Sequence, residues 1–130
     1  MALKLYAPKD YWKLTKEEKS EICNGCGAKG GIKVPDTMYG LDIKEACNIH
    51  DFMFNDGATY GDFLFSNAIF IFNLTSIIIH KSNWFTATLR LSRSTKYFIA
   101  VALKGQEAYW SNKPNHTNQN LNITYKGELR

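Results

Sequence analysis

The sequence predicts a mainly α-helical fold, and three observations carry that expectation. Apolar side chains recur at helical spacing across 41–54, 62–80 and 86–108. Start and stop signals bracket these segments: Thr15 and Glu18 have capping-box spacing ahead of 16–22, and Asn55-Asp56-Gly57 closes 41–54. Strand-like alternation is confined to Leu121-Asn-Ile-Thr-Tyr125.

Taken in order, the elements read as follows. A short N-terminal arm (1–14) leads into a helix over 16–22. A glycine-rich loop follows, with Gly25, Gly27, Gly30 and Gly31, closed by Pro35. The 41–54 helix offers Leu41, Ala46, Ile49 and Met53 to a core. The 62–80 helix is apolar nearly all round, apart from a stripe of Asp62, Ser66, Asn73, Ser76 and His80 that shares one side at 100° per residue. The interruptions by Ser66, Asn67, Asn73, Thr75 and Ser76 favour a buried helix over a membrane span. A third helix over 86–108 carries Arg90, Arg93, Lys96 and Lys104 within about one third of its circumference. The remainder, 111–130, reads as an irregular, Asn-rich polar tail. With 130 residues this is a single domain.

Composition narrows the function classes. At 45% hydrophobic and 22% charged, the chain can bury a core, which excludes disorder and fibrous repeats. Net charge is +4, unevenly spread: residues 1–80 hold 8 basic and 10 acidic side chains, and 81–130 hold 8 and 2. The C-terminal part therefore favours an anionic surface. Nucleic acid is not expected, because no recognition motif accompanies the charge. The aromatics Tyr11, Trp12, Trp84, Phe85 and Trp110 are candidates for a bilayer interface. The stretch before Lys9 is too short for the apolar core of a signal peptide. His80 and His116 read as structural, and the sequons at Asn73, Asn115 and Asn122 as chance in an Asn-rich chain.

The chemistry concentrates in the glycine-rich loop and in Cys47-Asn-Ile-His50-Asp51. Such a loop can converge backbone carbonyls, and Ca²⁺ accepts carbonyl and carboxylate oxygens. Asp51 would be the charged ligand. His50, rotated by about 100° on the helix, can face the same cavity without binding metal. A third group must hold its tautomer, and Asp62 is the nearest candidate. Asp62 has a second reading: Thr59-x-x-Asp62 is itself a helix-start box. The same segment also admits a structural zinc site, since Cys23-x2-Cys26 with Cys47-x2-His50 supplies Cys3His ligands and uses all three cysteines.

From Asn24 to Phe72 the chain resembles the secreted phospholipase A2 superfamily, in particular its short bacterial and phage-type members. The resemblance rests on Cys26-Gly27 in the loop, Cys47-x-x-His50-Asp51 on the helix, and a carboxylate, Asp62, downstream. It implies a phospholipase A2-like fold, with a Gly-rich calcium loop and two long helices packed antiparallel, and Ca²⁺-dependent hydrolysis of the sn-2 ester of glycerophospholipids at a membrane or micelle surface, outside the producing cell. His50 would be the general base and Asp62 its support. Asp51 and the carbonyls of Gly25, Gly27 and Lys29 would hold calcium, and the Gly27 N–H would face the oxyanion. Cys26 and Cys47 would be joined, and Arg90, Arg93, Lys96 and Lys104 would meet lipid. A catalytically silent module of the same shape is the alternative. The chain departs from the family at Phe52-Met53-Phe54, which replaces x-Cys-Tyr and removes the hydroxyl that braces the aspartate. Tyr60 or Tyr97 would have to substitute.

Overall fold

The computed structural model describes residues 3–23, 25–26, 35–110, 113 and 120–130, apart from the side chains of Val101, Lys104 and Ala108. Its elements are β1 (Tyr6–Pro8), α1 (Lys9–Trp12), α2 (Lys16–Ile22), β2 (Thr37–Met38), β3 (Leu41–Asp42), α3 (Lys44–Asp56), α4 (Tyr60–Lys81), α5 (Trp84–Trp110) and β4 (Gly127–Leu129). The mainly helical expectation holds.

Local chemistry accounts for the boundaries. Thr15 caps α2 through a reciprocal box with Glu18, and Thr59 caps α4 in the same way with Asp62. The start of the 41–54 helix needs correction. Tyr39 (φ 49°) and Gly40 (φ 79°) both take left-handed backbone, so the chain turns tightly and Leu41 pairs with Met38 in a β2–β3 hairpin. Asp42 then accepts from the Lys44 N–H at 2.9 Å and starts α3. The expected strand at 121–125 is also displaced. The strand is β4, antiparallel to β1 with Tyr6 opposite Leu129. Residues 120–124 instead spend their backbone groups on the start of α4. The Gly61 N–H donates to the Asn120 carbonyl at 3.0 Å, and the Thr124 N–H donates to Asp62 at 2.8 Å.

Short links make α3 and α4, and then α4 and α5, antiparallel neighbours. Ile43, Ala46, Ile49 and Met53 pack against Phe70, Leu74, Ile77 and Ile78, with Ala7 and Tyr11 of the N-terminal segment in the same core. Each large buried side chain contributes about 1.5–3 kcal/mol. A smaller aromatic core joins Phe63, Tyr109 and Trp110, with Phe54 and Tyr60 against it.

The polar stripe on α4 faces inward over its first three members, while Ser76 is half-buried and His80 exposed. Asp62, Ser66 and Asn73 are fully buried, whereas Leu64, Phe72 and Ile79 are exposed. By length and composition α4 is apolar enough to cross a membrane, yet its polar groups are satisfied inside this fold. Asn73 shows how. Its Oδ1 accepts from the Tyr6 N–H at 2.9 Å and its Nδ2 donates to the Tyr6 carbonyl at 2.8 Å. The amide thus occupies the edge of β1 that β4 leaves open.

Candidate functional site

His50 lies mid-way along α3 and is only 6% exposed. Its Nε2 is 2.8 Å from Oδ1 of Asn67 on α4. With the amide oxygen facing the ring, Nε2 carries the proton and Nδ1 the lone pair. The imidazole is tilted between Phe54 and Phe70, with ring centroids 4.2 and 4.7 Å away. Burial outweighs the Asn67 hydrogen bond and lowers its pKa from 6.5 to about 4, so the ring is neutral at physiological pH.

The expected pairing of His50 with Asp62 is not what the structure builds. Asp62 accepts from the Ala58 N–H at 3.0 Å, the Thr59 N–H at 3.3 Å, the Thr124 N–H at 2.8 Å and the Thr124 hydroxyl at 2.7 Å. Burial alone would raise its carboxyl; these four bonds outweigh burial and hold it below the ordinary carboxylate value. Thr124, rather than Tyr60 or Tyr97, braces it. The helix-start reading of Asp62 is the one its bonds follow. The reason is geometric. Two antiparallel helices rising about 1.5 Å per residue bring together positions equally far from their shared turn. His50 is eight residues before Ala58 and Asn67 nine after it, while Asp62 is only four after and falls opposite Phe54. That rule, applied to the sequence, narrows the partner to Ser66 or Asn67, which the search for a carboxylate passed over.

Phe54, in place of a tyrosine, lines the same wall. It sits 5.3 Å from Tyr109 and 5.6 Å from Phe63, and the absence of a side chain at Gly105 makes room for its ring, with a Cβ there 3.1 Å away. The site floor is therefore aromatic.

Cys26 and Cys47 form a disulfide with Cα atoms 5.0 Å apart, tying the loop to α3. Around it, Gly25 takes φ +76° and its N–H donates to Oδ1 of Asn48 at 3.0 Å. The Cys26 N–H donates to Oδ1 of Asp36 at 2.8 Å, and a Cβ on Gly25 would stand 2.6 Å from that same oxygen. Glycine is required at 25 on both counts. Asp51 is half-buried beside this segment, and its charge reaches Cys23. Gly27 and Lys29 lie outside the described residues.

Among the described residues no three His, Cys, Asp or Glu side chains cluster as metal ligands. A cation here would draw on backbone carbonyls and Asp51, donors that suit Ca²⁺. A zinc site through Cys23, Cys26, Cys47 and His50 would need thiolates, and two of those sulfurs are bonded to each other. Cys23 donates to the Asn48 carbonyl at 3.2 Å; burial and the Asp51 charge push its thiol up to about 11.

Comparison with family models, with curated proteins and with solved structures finds no match for this chain. The site must be read from its own geometry.

The basic stripe divides. Arg90 is committed to the β2–β3 hairpin and α4: its guanidinium donates to the Met38 carbonyl at 3.1 Å, the Tyr39 carbonyl at 2.7 Å and the Ser82 hydroxyl at 2.6 Å. Arg93 and Lys96 are exposed, and the Lys104 side chain lies outside the described residues. Of the expected interfacial aromatics, Tyr11 and Trp110 are buried and Trp12 donates to the Glu128 carbonyl at 3.2 Å. Trp84 and Phe85 stand in solvent.

Proposed function

We propose that this chain hydrolyses the sn-2 acyl ester of glycerophospholipids with Ca²⁺, as a phospholipase A2-like enzyme in which Asn67 takes the supporting place beside His50. The observation that supports the reading most is the His50–Asn67 pair. A neutral imidazole with Nε2–H tied to an amide oxygen presents the Nδ1 lone pair, which is what a general base requires. Nδ1 takes a proton from water as the oxygen attacks the ester carbonyl. The tetrahedral intermediate then expels the lysophospholipid alkoxide, which receives that proton from His50. Asp51 and the carbonyls of Gly25, Gly27 and Lys29 would hold calcium, whose bound charge polarises the carbonyl and stabilises the oxyanion. Phe54 and Phe70 keep bulk water from the base and give an acyl chain an apolar wall.

Fatty-acid release from mixed phospholipid vesicles, with calcium and then with a calcium-selective chelator, tests this. Release that stops on chelation and in His50→Gln supports it. Release that persists in His50→Gln overturns the mechanism. A second reading, a catalytically silent lipid-binding module, has its own observation: the amide of Asn67 offers no charge to a developing imidazolium, and His50 is nearly enclosed. Absence of release with calcium present favours that reading.

A further inference from the structure

Between Asp62 and Glu107 the chain holds no acidic residue, while Lys81, Arg90, Arg93, Lys96 and Lys104 fall within that span. The same span carries exposed large apolar side chains. Trp84 is 83% exposed, Leu103 76%, Ile79 61% and Phe85 59%. Single exposed apolar groups are ordinary; a continuous set is not. Ile79 near the end of α4 and Trp84 and Phe85 at the start of α5 flank the turn, where the chain passes from Lys81 to Trp84 through two residues. The Trp84 and Phe85 rings contact each other edge to face at 6.0 Å and no other ring among the described residues. Along α5, Phe85, Leu89, Lys96, Ile99 and Leu103 fall within about 80° at 100° per residue, all exposed, with Arg93 flanking.

We infer that the α4–α5 turn and the outer stripe of α5 form a docking surface for an anionic lipid bilayer, with Trp84 and Phe85 entering the headgroup region. The charge of the surface selects the occupant. Cations without a single acidic neighbour in sequence over this span complement anionic headgroups. A tryptophan and a phenylalanine at the tip add apolar area beside the charge, and tryptophan is the side chain that bilayer interfaces favour. Arg90 is not part of this surface, because its guanidinium is engaged by three hydrogen bonds to the β2–β3 hairpin and Ser82. These observations stand without the hydrolase reading.

The test uses vesicles of ether-linked phospholipids, which have no ester to cleave, so that docking and hydrolysis fail separately. Phosphatidylcholine vesicles with and without an equal part of phosphatidylglycerol are mixed with the full chain at low salt. Bound protein is measured by co-sedimentation and tryptophan emission. Binding should require phosphatidylglycerol, weaken with salt and shift the emission to the blue. Arg93→Glu with Lys96→Glu should reduce partitioning at least about tenfold, from roughly fivefold per basic residue. Trp84→Ala with Phe85→Ala should do likewise, and Trp84→Phe should remove the blue shift. Both sets alter exposed side chains, so circular dichroism should stay unchanged; if one pair misfolds, the other carries the test. Absence of binding to the anionic vesicles at low salt overturns the inference, as does undiminished binding in a folded double variant. A dimer dispersed by Trp84→Ala, with no vesicle binding, would show that a second copy covers this face.

Discussion

Replacing Asp62 with alanine separates a structural clasp from a catalytic support. The carboxylate is fully buried and takes four hydrogen bonds, two from the turn ahead of α4 and two from Thr124 of the tail. Loss of the capping half costs about 1 kcal/mol. Hydrogen bonds to a charged group are worth about 1.5–3 kcal/mol each when fully desolvated. Ala58 and Thr124 are exposed, so water takes over part of their donors, and the tail half is worth about 2 kcal/mol. The sum, about 3 kcal/mol against a typical total of roughly 5–15, lowers the melting temperature by about 10 °C. Thermal unfolding by circular dichroism reads that fall. Hydrogen exchange should show the Thr124 amide losing protection while α3 keeps its own. The contribution also depends on acid. Because the folded carboxyl lies below its unfolded value, it stabilises the fold above roughly pH 4 and the benefit is lost as pH falls below that. An unchanged melting temperature together with collapse of hydrolysis in a fully folded Asp62→Ala protein would refute the clasp and restore the carboxylate to the base.

Three other outcomes follow from the same structure. His50 is neutral when folded and has an ordinary pKa when unfolded, so stability should be full above about pH 6.5 and fall by up to about 3 kcal/mol as pH drops toward 4; in His50→Gln this acid slope should flatten, as read by denaturant unfolding at stepped pH. Gly61→Ala gains helix propensity of about 1 kcal/mol, yet its Cβ would stand 2.2 Å from the Leu121 carbonyl oxygen; the tail must move, and a net loss of about 1–3 kcal/mol is expected in thermal melts. Reducing the Cys26–Cys47 disulfide opens a loop with sequence separation 21 and should cost about 3 kcal/mol, seen as a lower denaturant midpoint in reductant that is absent in Cys47→Ala.

How far the sequence could be read differs from element to element. The α2 and α4 starts were legible because Thr15 with Glu18 and Thr59 with Asp62 are local, reciprocal signals. The β2–β3 turn was not, because Leu41 continues a helical pattern and only the left-handed backbone at Tyr39 and Gly40 breaks it. The strand at 127–129 was hidden for another reason. Gly127-Glu-Leu129 has little alternation of its own and becomes a strand because β1 offers it a partner. At the site, the adjacency of His50 and Asp51 and the closeness of Cys26 to Cys47 could be expected from the motif. The partner of His50 could not, since a search by residue type looks for a carboxylate and the fold supplies an amide.

The amino-acid sequence by itself determined a helical protein with a cysteine-bearing glycine loop, a histidine beside an aspartate, and a predominantly basic C-terminal part. Those properties depend on composition and on contacts a few residues apart. Tertiary structure alone decided which polar groups meet. Antiparallel packing about Ala58 sets Asn67 against His50, the returning tail claims Asp62 through Thr124, and the hairpin claims Arg90. For His50 and Asp62 the physical reason is that a buried polar group must find its partner wherever the fold brings one; the partners in the three cases lie 17, 62 and 51 residues away.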